Sequence, residues 1–262
     1  YKNMKSISIS SFAAILLIWT ITACSPSNRV TGSNNYITKQ IKVEKFNGLQ
    51  LTGGPDVIYK QAQGKPSVEV YGQDNIVELL DIYVQNNSLT VKFKNNTSIQ
   101  NRGKLEIRVS GPALNRIALS GSGDIKLVNG IQTDDNLNIK IQGSGDIAGN
   151  KISCNLLSLS INGSGDMTLN RIDALKAEVG INGSGDISLS GICKNAEYSI
   201  NGSGDIQASE LETENVTTSI NGSGDISCYA TESLKGRVSG SGEVAYRGEP
   251  QIDFSKKGLR KL

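Results

Sequence analysis

Gly-Ser-Gly-Asp occurs at Gly121–Asp124, Gly143–Asp146, Gly163–Asp166, Gly183–Asp186, Gly202–Asp205 and Gly222–Asp225, and a further copy, Gly240–Glu243, ends in glutamate. Successive acidic residues, Asp124, Asp146, Asp166, Asp186, Asp205, Asp225 and Glu243, stand 22, 20, 20, 19, 20 and 18 positions apart. A period near 20 residues, kept in register at neighbouring positions, specifies a solenoid: each repeat buries its apolar face only against its neighbours. Five positions before the acid the residue is aliphatic in every copy (Leu119, Ile141, Ile161, Ile181, Ile200, Ile220, Val238), and directly after it the residue is again apolar, from Ile125 to Val244.

Between these columns run alternating stretches such as Leu137-Asn-Ile139-Lys-Ile141, the pattern of strands with one buried face. The gaps leave no room for crossover helices. The expected fold is all-β: a parallel β-helix of about 20 residues per rung and three strands per rung, with a more degenerate N-terminal β region. Gly-Ser-Gly-Asp forms the corner, glycine for its backbone freedom and Asp to fold its carboxylate onto nearby N–H groups and close the turn. The column Asn162, Asn182, Asn201 and Asn221 invites an amide ladder along the rod.

Residues 1–23 read as a lipoprotein signal peptide, with Lys2 and Lys5 before an apolar run too short to span a membrane comfortably. Ile21-Thr-Ala-Cys24 resembles a bacterial lipobox, which implies lipidation at Cys24 and a membrane anchor through that lipid. Residues 24–36 are polar and read as the lipidated cysteine and its tether. The solenoid domain is expected over 37–254, divided into degenerate first rungs (37–118) and regular repeats (119–247). Leu51-Thr-Gly-Gly-Pro-Asp56-Val57 matches the later corners apart from its proline. Strands are expected at Val68–Tyr71, Ile82–Val84, Leu89–Phe93 and Leu105–Val109, a hairpin turn at Asn86-Asn-Ser88 and one helical turn within Asp74–Leu80. Residues 255–262 are read as a basic tail.

Composition narrows the chemistry. The chain has no histidine, which removes the commonest general base and most zinc sites. Formal charge is 27 cations against 25 anions; without residues 1–23, which hold two lysines and no acid, it is 25 against 25. A neutral chain argues against nucleic acid as a partner. Cys228 lies in an apolar column and is assigned to the core. Cys193 follows the inward column position Ile192 and is expected outward. With Cys154 the three fall in different columns, so no disulfide framework is expected. Tyr59, Tyr71, Tyr83 and Tyr229 are candidates for exposed aromatic contacts.

The acid column is the one constellation that invites chemistry. Unit charges stacked about 5 Å apart repel by about 0.8 kcal/mol in water. They must therefore be splayed, matched to N–H donors or bridged by cations. Turn capping is the preferred reading. A calcium ladder is the second, by analogy with Gly-rich Asp repeats of nine residues, not twenty. Acid/base catalysis on a polysaccharide is the third, although no pair stands out from its neighbours.

The repeated Ile-Asn-Gly-Ser-Gly-Asp-Ile, the opening Phe46-Asn-Gly-Leu-Gln-Leu-Thr-Gly-Gly-Pro-Asp-Val57 and the closing Gly240-Ser-Gly-Glu-Val-Ala-Tyr-Arg-Gly-Glu-Pro250 together resemble the putative autotransporter adhesin head GIN domain family, envelope lipoproteins mainly of Bacteroidetes. The family adds a further Gly-rich corner, of which Lys257-Gly-Leu-Arg260 is a worn copy. The resemblance implies a right-handed parallel β-helix on the cell envelope and supplies no catalytic residues; an outer-membrane location and no cofactor are expected. The expected function is a lipid-anchored, non-enzymatic adhesin or binding module for a glycan or protein. The alternatives are a self-associating envelope scaffold (a homo-oligomer, as trimers or end-to-end fibres) and a polysaccharide-acting enzyme.

Overall fold

A computed structural model describes residues 28–101, 103–255 and 257–262. The expected signal peptide, residues 1–23, and Cys24 lie outside the described residues. The strands are β1 (Asn28–Thr31), β2 (Tyr36–Ile41), β3 (Gly48–Gly53), β4 (Val57–Gln61), β5 (Ser67–Gln73), β6 (Leu80–Gln85), β7 (Ser88–Phe93), β8 (Thr97–Asn101), β9 (Glu106–Gly111), β10 (Arg116–Gly121), β11 (Ile125–Leu127), β12 (Ile131–Gln132), β13 (Leu137–Gly143), β14 (Ile147–Gly163), β15 (Met167–Gly183), β16 (Ile187–Gly202), β17 (Ile206–Gly222), β18 (Ile226–Gly240), β19 (Val244–Arg247), β20 (Gln251–Phe254) and β21 (Leu259–Lys261), with one helical turn, α1 (Asp74–Val77).

From β10 onward every pairing is parallel and joins one repeat to the next, giving a β-solenoid of about seven turns. Between β14 and β15 the register runs over 147–150, 152–154 and 156–163 and skips Lys151/Arg171 and Asn155/Leu175. Each coil is therefore three-sided. The long face (156–163) meets the next face (147–150) at the Gly-Ser-Gly-Asp corner. Lys151 (φ 70°) and Arg171 (φ 51°) make the second corner in the left-handed region, and Asn155/Leu175 the third.

Alternation decides what is inside. On the long face Leu157, Leu159 and Ile161 point in, and the same columns hold Ala177, Val179 and Ile181 one coil on, all buried. Side-chain volumes compensate along a column. Tyr198 is fully buried between Val179 and Thr218, and the column continues into Gly236, where a Cβ would lie 2.1 Å from the Thr218 hydroxyl oxygen.

The N-terminal region caps this rod rather than merely starting it. β3 and β4 form a coil between two others: β10 and β11 stack on one side, β7 and β9 on the other, all in parallel. The chain thus leaves the stack after β4 and adds β7 and β9 at the far end before returning to β10. β2, β5 and β9 pair antiparallel, as do β6 and β7. Asn86 and Asn87, at φ 50° and 59°, make the two-residue hairpin turn expected from Asn-Asn. The helical turn and the expected N-terminal strands are also present.

Several expectations are corrected. Residues 28–36 are not a free tether: β1 pairs with β8, and Asp74 accepts hydrogen bonds from the Ser33 hydroxyl (2.5 Å) and the Asn35 amide (2.8 Å). The end of the chain is not a tail either. β21 pairs with Val244–Tyr246, and Val244 N–H donates to Gly258 O, so Gly258 takes the place of the next acidic residue and the worn copy is a working corner. Cys193 points inward and Ile192 outward, the reverse of the expectation. The 19-residue step removes one residue from this corner, Gly191 (φ 131°) absorbs the loss, and the following alternation flips. Cys154 and Cys193 consequently share one inward column, separated by Ala174. Two coils put them roughly 10 Å apart, beyond disulfide reach, and all three described cysteines are free and buried. Tyr59 is fully buried, its hydroxyl donating to Pro112 O.

Candidate functional site

The acid column repeats once per coil, and its geometry follows from how a parallel stack turns a corner. In each corner the N–H groups of Ser and of the second Gly both donate to the first Gly carbonyl of the preceding coil, as Ser184 and Gly185 do to Gly163 at 2.9 and 3.3 Å. The residue after the acid donates instead to the acid's carbonyl in the following coil, as Ile187 does to Asp205 at 2.9 Å. Between these two patterns the acidic residue's own N–H has no carbonyl left to meet.

The carboxylate supplies the missing acceptor. Asp146 N–H donates to Asp124 Oδ1 at 3.0 Å, and Asp166, Asp186, Asp205 and Asp225 each donate to the Oδ1 below at 2.8 Å. Glu243 N–H donates to Asp225 Oδ1 at 2.7 Å. The column also extends one step further than the repeats alone indicate, since Asp124 N–H donates to Asp56 Oδ1 at 3.1 Å. The signal for Asp56 is its match to the corner sequence, in which Pro55 replaces the second glycine. Each carboxylate thus bonds across coils rather than within its own turn, which corrects the local capping expected from the sequence. A charge-assisted hydrogen bond contributes about 1.5–3 kcal/mol, against about 0.8 kcal/mol of repulsion per neighbouring pair in water, so one bond per step outweighs the stacking of like charges.

The glycines answer to the same stacking. At Gly183 (φ 143°) a Cβ would lie 2.1 Å from Gly163 O. Gly185 has no such backbone demand, yet a Cβ there would lie 2.0 Å from Gly165 O. The first glycine is fixed by conformation and close approach, the second by close approach alone.

Beside the corner the amide ladder forms: Asn201 Nδ2 donates to Asn182 Oδ1 and Asn182 Nδ2 to Asn162 Oδ1, both at 3.2 Å, with Asn221 next in register. A second ladder, unnoticed in the sequence because its members lack a constant neighbour, runs from Ser233 Oγ to Asn215 Oδ1 (2.7 Å) and from Asn215 Nδ2 to Asn195 Oδ1 (3.3 Å). Among the described residues no group of three or more His, Cys, Asp or Glu side chains is placed to hold a metal ion, and no helix is long and apolar enough to cross a membrane.

The family described as "Putative auto-transporter adhesin, head GIN domain" matches residues 45–250. The chain belongs to this family. Solved structures of similar proteins share the solenoid seen here. A Parabacteroides distasonis protein described as a putative lipid binding protein superposes with a TM-score of 0.83 at 26% identity, over 89% of this chain and 99% of that one. A putative adhesin from Parabacteroides merdae has the same TM-score, identity and coverage. A putative adhesin from Bacteroides fragilis is 32% identical over 89% of this chain and all of its own, with a TM-score of 0.68. Nothing among curated proteins matches this chain. The family's adhesin description suggests association with the cell envelope.

Proposed function

We propose that this GIN-domain protein is a non-enzymatic binding module of the adhesin type, held at the outer membrane by a lipid on Cys24 and meeting a glycan or protein ligand with the outward side of its coils. The observation that carries this reading is the engagement of the acid column. Asp124, Asp146, Asp166, Asp186, Asp205 and Asp225 each spend Oδ1 on the N–H one coil further on. One oxygen of each carboxylate, the group best suited by composition to acid/base work or calcium binding, is thereby committed to joining the coils. What remains for a partner is the outer surface, where the long face presents short polar side chains such as Ser158, Ser160, Asn162, Ser199 and Asn201 at the coil spacing of about 4.8 Å.

The test is a binding array of envelope glycans and matrix proteins probed with the folded domain, alongside polysaccharide substrates assayed for cleavage. Saturable binding without turnover is expected; turnover of any polysaccharide would overturn the reading. Palmitate labelling in a bacterial host tests the anchor, and labelling that persists in Cys24→Ser would contradict it.

A further inference from the structure

Five outward carboxylates of the solenoid are ion-paired. Lys176 Nζ bridges Glu178 (2.7 Å) and Glu197 (2.9 Å), Arg247 meets Glu210, Arg260 meets Glu243 and Lys261 meets Glu249. The short third face departs from this pattern. There a shallow hollow of about 330 Å³ is lined by Asp173, Leu175, Ile192, Lys194, Glu212 and Glu214. Leu175 is 60% and Ile192 56% exposed, the two most exposed large aliphatics of the described coils. Ile192 stands in register between Asp173 below and Glu212 above. Leu175, Lys194 and Glu214 hold the equivalent corner position of three successive coils. None of these four charged side chains has an ion pair among the described residues, and Arg171 on the neighbouring corner is turned to Asn150 (2.7 Å).

Leu175 and Ile192 give the hollow an exposed apolar floor, and three carboxylates stand against one ammonium around them. The register slip at Gly191 is what turns Ile192 outward. We propose that this hollow is a docking site for an extended segment of a partner protein that places aliphatic side chains between lysine or arginine residues. The aliphatic groups cover Leu175 and Ile192; the cations meet Asp173 on one side and Glu212 and Glu214 on the other. The inference rests on the binding-module reading and gives it a location and a ligand chemistry.

The test uses a probe of that chemistry, the peptide acetyl-Lys-Gly-Leu-Gly-Leu-Gly-Lys-amide, displayed multivalently on a sensor so that avidity raises weak binding. The folded protein should bind it, more weakly as salt rises. It should bind the version with Glu in place of Lys at least tenfold less. Leu175→Ser with Ile192→Ser should cost at least tenfold while leaving the melting midpoint unchanged. Asp173→Lys with Glu212→Lys should exchange the preference to the Glu peptide, whereas Glu44→Lys, an exposed acid far along the chain, should change nothing. No binding of the Lys peptide, or binding that all variants share, overturns the site; the glycan and matrix array, which does not depend on this hollow, then decides the binding-module reading on its own.

Discussion

Asp186 shows what one side chain does in this fold: it takes the N–H of Asp205 at 2.8 Å where the corner leaves that donor without a carbonyl. Asp186→Ala strands the donor and should cost about 1–3 kcal/mol, while Asp186→Asn keeps an acceptor oxygen and should cost less than half as much; denaturant midpoints of the two variants separate these. Two glycines make a second contrast. Gly185→Ala drives a Cβ to within 2.0 Å of a backbone carbonyl and should destabilise by about 3 kcal/mol or more. Gly180 faces outward with nothing within 4 Å of a Cβ and a backbone outside the left-handed region, so Gly180→Ala should be neutral or stabilise by up to about 1 kcal/mol. The cysteines are the third case. Burial pushes the Cys154 and Cys193 thiols up to about 11 and Cys228 up to about 12. Between the unfolded value of about 8.5 and these, the native state holds protons that the unfolded state has released, so stability is full below about pH 8.5 and falls as pH rises through the folded values. Iodoacetamide at pH 8 should leave all three unlabelled in the folded protein and label them once it is unfolded.

At the scale of elements, the cap is held by polar contacts as well as packing. Hydrogen bonds from Ser33, then Asn35 and the Asn75 N–H, hold the Asp74 carboxyl below the usual range. A lowered value means the contribution is present above the unfolded pKa of about 3.9 and lost as pH falls through the folded one. Hydrogen-exchange protection of β1 and β2 should therefore hold down to about pH 4 and drop below it, ahead of the coils; simultaneous loss along the chain would contradict this. The coil itself was legible in the sequence because a period near 20 with fixed apolar columns has one economical solution, and Val57, Ile125 and Ile147 stand where their columns placed them. Register across a shortened corner was not. Aligning copies on the acid carries no information about where a missing residue is absorbed, so Ile192 and Cys193 exchanged sides. The direction of the Asp bonds was equally hidden, since a carboxylate closing its own turn and one reaching the next coil need the same residue.

Over the whole molecule, chain order and stacking order diverge at one end only. The segment between β4 and β10 crosses to the outside of the first coil, a route no local pattern encodes, because β3 can accept a parallel neighbour on either side. What results is a rod whose corner N–H groups are bonded from coil to coil and whose outer faces carry the differences between coils, the acidic hollow at Leu175 and Ile192 foremost. The claim that the acid column joins coils and holds no cation is tested most directly by melting the folded protein in millimolar calcium and in a chelator. A ligand present at a hundred times its dissociation constant adds about 2.7 kcal/mol to stability. The structure predicts the same midpoint in both conditions. A rise of several degrees in calcium, abolished in Asp186→Asn, would contradict it and make the column a metal ladder.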